Sequence, residues 1–306
     1  MYLGFLSVCL GDISFEEKVK WAAENGFHAM EVGCWPTENQ RDYASSDLSV
    51  SGNLEKEAAR VQNILDLYQM KITSLAFYDN NLDADLVRRK RNNLHLLRCI
   101  DLAALLGVPT VGTFIGKDYT KSIEENFTLF EEIFHPIVAY AFEKKVNIVV
   151  ENCPMEGWQQ QGVPGTISFS PELWEEMFRR IPEKNFGLNY DPSHMYIMQM
   201  DYLSPIKTFR DRILHVHAKD AWIDKEKLSY YGTYNRQLNR KLTNGYWNCR
   251  MPGRGGVDFE KFISELKGID YNGVISIEHE DPDFEGDLCL VKKALLMAQD
   301  YLKKWI

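Results

Sequence analysis

The chain has 306 residues, of which 45% are hydrophobic and 26% charged, and its 44 acidic against 35 basic side chains leave a formal charge of -9. This composition excludes a disordered or fibrous chain, and the acidic balance disfavours nucleic acid and anionic membrane surfaces as partners. About 150 residues per domain would suggest two domains, but α/β barrels run past about 200 residues as one unit.

The apolar start, Met1 to Leu10, lacks a basic leader region and reads as a first strand, not a signal peptide. The longest uncharged stretch, between Asp101 and Lys117, is interrupted by Gly107 and Pro109 and falls short of the roughly 20 apolar residues that span a bilayer. The six cysteines, Cys9, Cys34, Cys99, Cys153, Cys249 and Cys289, contain no C-x-x-C pair. In a chain of this length they are expected to be reduced thiols, which places the protein in the cytoplasm.

Short β-branched runs then alternate with longer amphipathic ones, the pattern of β-α units around a parallel sheet. The predicted strands are Tyr2 to Ser7, Ala29 to Gly33, Lys71 to Phe77, Thr110 to Phe114, Asn147 to Glu151, Gly187 to Asp191, Ile213 to His217 and Gly273 to Glu278. Eight strands in alternation predict a single (β/α)8 TIM barrel over residues 1–306. Helix punctuation agrees. Ser14 with Glu17 has capping-box spacing, and Asn25-Gly26 supplies a stop. Asp83 precedes a long helix ending at Leu106-Gly107, Ser170-Pro171 and Asp258 open two more, and a last helix runs from about Asp287 to Lys304. Two connections, 35–54 and 218–256, are unusually long; both follow strands and so belong on the C-terminal face, as lids or binding loops.

Four consecutive predicted strands end in a group able to bind a metal: Glu151, Asp191, His217 and Glu278. Alone, a strand-end carboxylate caps a helix or forms a salt bridge, and a strand histidine such as His215 packs in the core. Four such groups converging on one barrel mouth would crowd desolvated charge together unless a cation offset it. Three carboxylates and one imidazole suit one divalent ion, with Mn2+ expected and Mg2+, Co2+ or Zn2+ as alternatives.

The strand-end segments Asp191-Pro192-Ser193-His194, His217-Ala218-Lys219-Asp220 and Ile277-Glu278-His279-Glu280, with Pro252-Gly253-Arg254-Gly255-Gly256-Val257-Asp258, resemble the xylose isomerase-like sugar phosphate isomerase/epimerase superfamily. The resemblance covers nearly the whole chain. It implies that Glu151, Asp191, His217 and Glu278 hold the metal, that Glu151 and Glu278 also exchange protons with substrate, and that His194 contacts a substrate oxygen or the bridging site; on its own position, His194 could equally be a partner that orients Asp191. Thr113-Phe114 and Trp247 to Cys249 stand where trinuclear endonucleases of the superfamily carry histidines, and the epimerases' arginine beyond the seventh strand is not evident.

Removing a proton beside a carbonyl needs Lewis-acid help and a pair of carboxylates acting as base and acid. With the resemblance, the expected activity is isomerisation or epimerisation of a small carbohydrate through a stabilised enediolate. The alternative is a lyase, an inosose dehydratase or an enzyme eliminating an aglycone from a 3-keto-glycoside; a non-catalytic sugar-binding barrel and an AP endonuclease rank lower. Lys219, Arg250, Trp222 and Asp79 join His194 as expected substrate contacts, although Lys219 could instead pair with Asp220, and Arg250 and Arg254 could be solvated loop charges. The connection 218–256 carries Trp222, Tyr230, Tyr231, Tyr234, Tyr246 and Trp247, suited to sugar stacking or to a subunit contact. A homo-oligomer or an accessory subunit is admitted by the sequence.

Overall fold

A computed structural model describes residues 1–11, 13–36, 46–155, 163–233 and 245–306. Eight parallel strands form the central sheet: β1 (Tyr2–Phe5), β2 (Ala29–Gly33), β3 (Lys71–Phe77), β4 (Thr110–Thr113), β5 (Asn147–Glu151), β6 (Phe186–Tyr190), β7 (Ile213–Ala218) and β10 (Val274–Ile277). They pair in the order β1-β10-β7-β6-β5-β4-β3-β2, and a parallel bridge from Leu6 to Glu31 joins the two ends, so the barrel is nearly closed. Strands covered on both faces should be continuously apolar. They are, except at interior positions such as Glu31, Ser74, Asn189, His215, His217 and Ser276, all buried.

The outer helices are α1 (Phe15–Glu24), α2 (Leu54–Tyr68), α3 (Leu86–Leu106), α4 (Ile123–Glu143), α5 (Pro171–Arg180), α9 (Phe259–Gly268) and α10 (Leu288–Leu302). Short helices α6 (Pro192–Ile197) and α7 (Ser204–Thr208) follow β6. Ser14 and Glu17 form the expected reciprocal capping box, and Gly26 takes the left-handed backbone (φ 76°) that ends α1. The long third helix starts later than expected: Asp85 caps it, while Asp83 accepts the Asp85 amide and pairs with Arg88. The first strand is also shorter, because Ser7–Leu10 turns into a 3-10 helix whose Ser7 hydroxyl bonds the Asp47 carboxylate.

The two long connections differ from structureless loops. Residues 46–53 are held against the barrel by the buried Lys18–Asp47 ion pair (2.7 Å) and by buried Leu48 and Val50; residues 37–45 lie outside the described residues. After β7 the chain folds into an antiparallel hairpin, β8 (Asp220–Ile223) with β9 (Trp247–Arg250), and helix α8 (Lys225–Tyr231) follows β8. Tyr234 lies outside the described residues. The Asp220 carboxylate organises the glycine-rich turn after the hairpin by accepting the amides of Gly253, Gly255 and Val257 at 2.9–3.1 Å. Gly253 has φ 88°, and a Cβ on Gly255 would collide with the Ala221 carbonyl and the Asp220 carboxylate. Among the described residues no helix is long and apolar enough to cross a membrane.

Candidate metal centre

The C-terminal ends of β5, β6, β7 and β10 bring Glu151, Asp191, His217 and Glu278 into one buried cluster, with one ligand atom from each lying within 4.8 Å of the others. His217 Nδ1 is 2.9 Å from Glu151 Oε1 and 3.1 Å from Glu278 Oε2. Its Nε2 is 2.7 Å from Glu31 Oε2. A carboxylate only accepts, so Glu31 fixes the Nε2 proton and turns Nδ1 towards the cluster. The Asn189 amide, 2.9 Å from the same Nε2, has a donation to Tyr78 Oη at 2.7 Å instead. Glu31 is held in turn by Tyr78 Oη (2.6 Å) and Ser276 Oγ (3.0 Å).

Electrostatics follow from burial against neighbouring charge. Burial alone would raise the Glu31 carboxyl, but His217 and His215 beside it, with hydrogen bonds from His217 and Tyr78, bring it down to about 2. For Glu151 and Glu278 the burial penalty is likewise overcome, chiefly by His217 and Lys219 respectively, and both stay ionised. Asp191 shifts upward through burial. Burial opposes the charged form of His217, yet Glu31, Glu278 and Glu151 lift its pKa well above the usual value. A divalent ion bound at Nδ1 would displace a proton held there.

The donor set fits a divalent metal on the structure's own terms. Asp191 Oδ2 and Glu278 Oε2 are fully buried, and His194 Nε2 sits 3.4 Å from Glu151 Oε1 and 3.5 Å from Asp191 Oδ2. These atoms face Lys219, His217 and each other across one buried space, and three carboxylates with an imidazole converging there are a donor set that suits a divalent ion. The other Asp191 oxygen accepts the Ser193 amide at 2.7 Å, so α6 caps on one carboxylate oxygen and leaves the second for the cluster.

Lys219 is fully buried and pairs with Glu278 (2.9 Å), Glu280 (3.2 Å) and Asp191 (3.5 Å), not with Asp220. Cys249 of β9 donates to Glu280 Oε2 at 3.3 Å, which ties the hairpin to the rim of the cluster. Three other expected substrate contacts stand outside it. Trp222 lies on β8 with 43% of its surface exposed. Arg250 pairs with Asp281 (3.3 Å), as does Arg254 (2.9 Å), so both arginines brace the segment after β10. Asp79 accepts the Asn80 amide and lines a cleft of about 650 Å³ with Arg88, Arg91, Tyr119 and Met155, none of which belongs to the cluster. His215 is a packed interior histidine, as its strand position suggested: its Nδ1 meets Asn189 Oδ1 at 2.9 Å, and burial lowers it to about 4.

Sequence reasoning missed Glu31, Tyr78, Asn189 and Glu280. Glu31 carried a signal, as the one charged residue in the strand Ala29–Gly33. The others were visible only once their partners were known.

A family model described as xylose isomerase-like TIM barrel matches residues 19–304. The inosose dehydratase of Bacillus velezensis is 39% identical over 117 residues, covering 38% of this chain and 36% of that protein. Among solved structures, an IOLI protein with a binding zinc atom superposes with a TM-score of 0.73 at 17% identity, covering 100% of this chain and 99% of that one. A D-tagatose 3-epimerase-like protein superposes with a TM-score of 0.67 at 21% identity and 99% coverage of both chains. At these identities the two structures show a shared fold.

Proposed function

The chain belongs to the xylose isomerase-like TIM-barrel family, and we propose that it removes a proton from the carbon beside a carbonyl of a small sugar or cyclitol derivative, isomerising or epimerising it. The observation that carries this reading is the buried cluster of Glu151, Asp191, His217 and Glu278, whose ligand atoms converge within 4.8 Å. A divalent ion held by these four residues, Mn2+ in our assignment, supplies the Lewis acidity that makes such a proton removable. The binding zinc atom of the IOLI protein supports a divalent ion of this kind.

The chain's own groups account for the rest. Glu151 and Glu278 face one space, so the one that is ionised takes the proton, and the other, once it has taken a proton from solvent, returns it to carbon; the first then gives its proton back to solvent. Return to the opposite face of the same carbon gives the epimer. Lys219, 2.9 Å from Glu278, keeps that carboxylate charged and offers N–H donors to a substrate oxygen. His194 Nε2, at the edge of the cluster beside Glu151 and Asp191, offers another. Glu31 and Tyr78 hold His217 in orientation, and Cys249 of the hairpin holds Glu280 beside Lys219.

A second reading keeps the same first step and sends the second proton to a β-oxygen, so that water or an aglycone leaves. The local identity to an inosose dehydratase favours it. Incubation in D2O with metal and a panel of ketohexoses, inososes and 3-keto-glycosides separates the two: deuterium gained at carbon in an otherwise intact sugar indicates epimerisation, and loss of water or aglycone indicates elimination. Glu151→Gln and Glu278→Gln are each expected to slow exchange by about 10²–10⁴-fold. Unchanged exchange in either variant removes the two-carboxylate mechanism.

A further inference from the structure

A second group of soft ligands lies behind the barrel wall. Cys34 follows β2, and His95 and Cys99 are four residues apart on one face of α3. Both cysteines are fully buried, and their sulfurs are 3.7 Å apart. A ring nitrogen of His95 and the two sulfurs all lie within 4.8 Å of one another. The His95 ring is held in place against Phe77, at 4.5 Å between centroids, and its Nε2 is 2.6 Å from the Cys34 carbonyl oxygen.

From these positions we infer that Cys34, His95 and Cys99 form a binding site for a thiophilic divalent ion, with Zn2+ the best match, separate from the carboxylate cluster at the mouth. Two sulfurs on a tetrahedral zinc, each about 2.3 Å from the ion, lie about 3.7–3.8 Å apart, the separation these sulfurs already have. Two thiolates cancel the charge of the ion, so the neutral assembly is tolerated where both cysteines are buried. His95, only partly buried, gives the ion a route in and leaves the fourth position to a water molecule. Thiolates select against hard ions, so Mn2+ fills the mouth alone whereas Zn2+ or Co2+ fills both sites. The bound ion clamps the end of β2, whose Cys34 amide already bonds the Ala76 carbonyl of β3, onto α3, and thereby braces the base of the connection that follows β2.

The test is metal stoichiometry and cobalt spectroscopy on the reduced full-length protein. Wild type is expected to bind two equivalents of Zn2+ per chain but one of Mn2+, and the Co2+ form to show sulfur-to-cobalt charge-transfer absorption. Cys153 also lies beside a carboxylate and a histidine, with Glu151 and His194, so Cys153→Ser must retain that band. Cys99→Ser and Cys34→Ser are expected to lose the band and one equivalent, and His95→Ala to weaken the second site at least tenfold. Asp191→Asn, at the mouth, keeps the band. The wild-type spectrum needs no folded variant: a cobalt form without the sulfur band overturns the site, as does a band lost in Cys153→Ser but kept in Cys99→Ser. A Cys34–Cys99 disulfide in the peptide map of protein handled under reductant also overturns it. Loss of turnover with the sulfur band intact would count against the proposed reaction alone.

Discussion

Glu31 governs the behaviour of His217 although it offers the cluster nothing directly. Its carboxylate holds the Nε2 proton, and Tyr78 and Ser276 hold the carboxylate. A glutamine in its place can present its amide N–H to Nε2 and favour the wrong tautomer. Glu31→Gln is therefore expected to weaken divalent-ion binding by about 10–100-fold while the protein stays folded, as read by calorimetric titration with Mn2+ or Zn2+. Wild-type affinity in that variant would show that His217 is oriented by its packing alone. Strand position sufficed to nominate the four cluster residues, because the ends of parallel barrel strands must meet. Glu31 points into the same interior from the opposite edge of the open sheet order, 186 residues from His217, and only closure of the barrel makes them neighbours.

At the scale of elements, the hairpin and the turn after it depend on one side chain. Asp220 is buried, and its two oxygens serve the amides of Ala221, Gly253, Gly255 and Val257. Asp220→Ala leaves those amides without their acceptor, so a loss of about 1–3 kcal/mol is expected in thermal or urea unfolding, with faster hydrogen exchange at Gly253, Gly255 and Val257. Unchanged exchange there would mean that the turn stands on its backbone geometry. The second element is α5, where Glu176 binds Arg179 and Arg180, each at 2.6 Å. Arg179, against a smaller burial effect and with Arg180, holds the Glu176 carboxyl at about 2 instead of its ordinary 4.5. A depressed carboxyl stabilises the fold above pH 4.5 and loses that contribution as the pH falls towards 2. Because these groups are partly exposed, Glu176→Gln should cost no more than about 1 kcal/mol at neutral pH. Urea unfolding at several pH values should show the gap between variant and wild type closing below pH 4.5 and in high salt. A gap that widens in acid would assign the stabilisation elsewhere. The helix caps were readable in advance because a cap is a contact across three residues, as in Ser14 and Glu17. The hairpin was not, since β8 and β9 are separated by more than twenty residues and pair only through backbone.

For the molecule as a whole, the mouth is a concentration of negative charge inside a nearly closed barrel, relieved in part by Lys219 and the histidines. An ion that binds the folded state alone stabilises it by mass action, about 2.7 kcal/mol at one hundred times its dissociation constant. Thermal unfolding is thus expected to shift upward by several degrees on addition of saturating Mn2+ and to return on chelation. A melting temperature indifferent to both would leave the carboxylate cluster without a ligand and remove the basis for the reaction.

The sequence by itself determined what depends on neighbours along the chain: the β-α alternation, the caps of α1 and α9, and strands that end in Glu151, Asp191, His217 and Glu278. Tertiary structure decided which distant groups share a space. It turned Lys219 to Glu278 and away from Asp220, engaged Arg250 with Asp281, placed Glu31 under His217 and set Cys34 against Cys99. The reason is that periodicity reports which face of an element is buried, whereas the partner found on that face is set by strand order and closure, which join residues as far apart as Glu31 and Ser276.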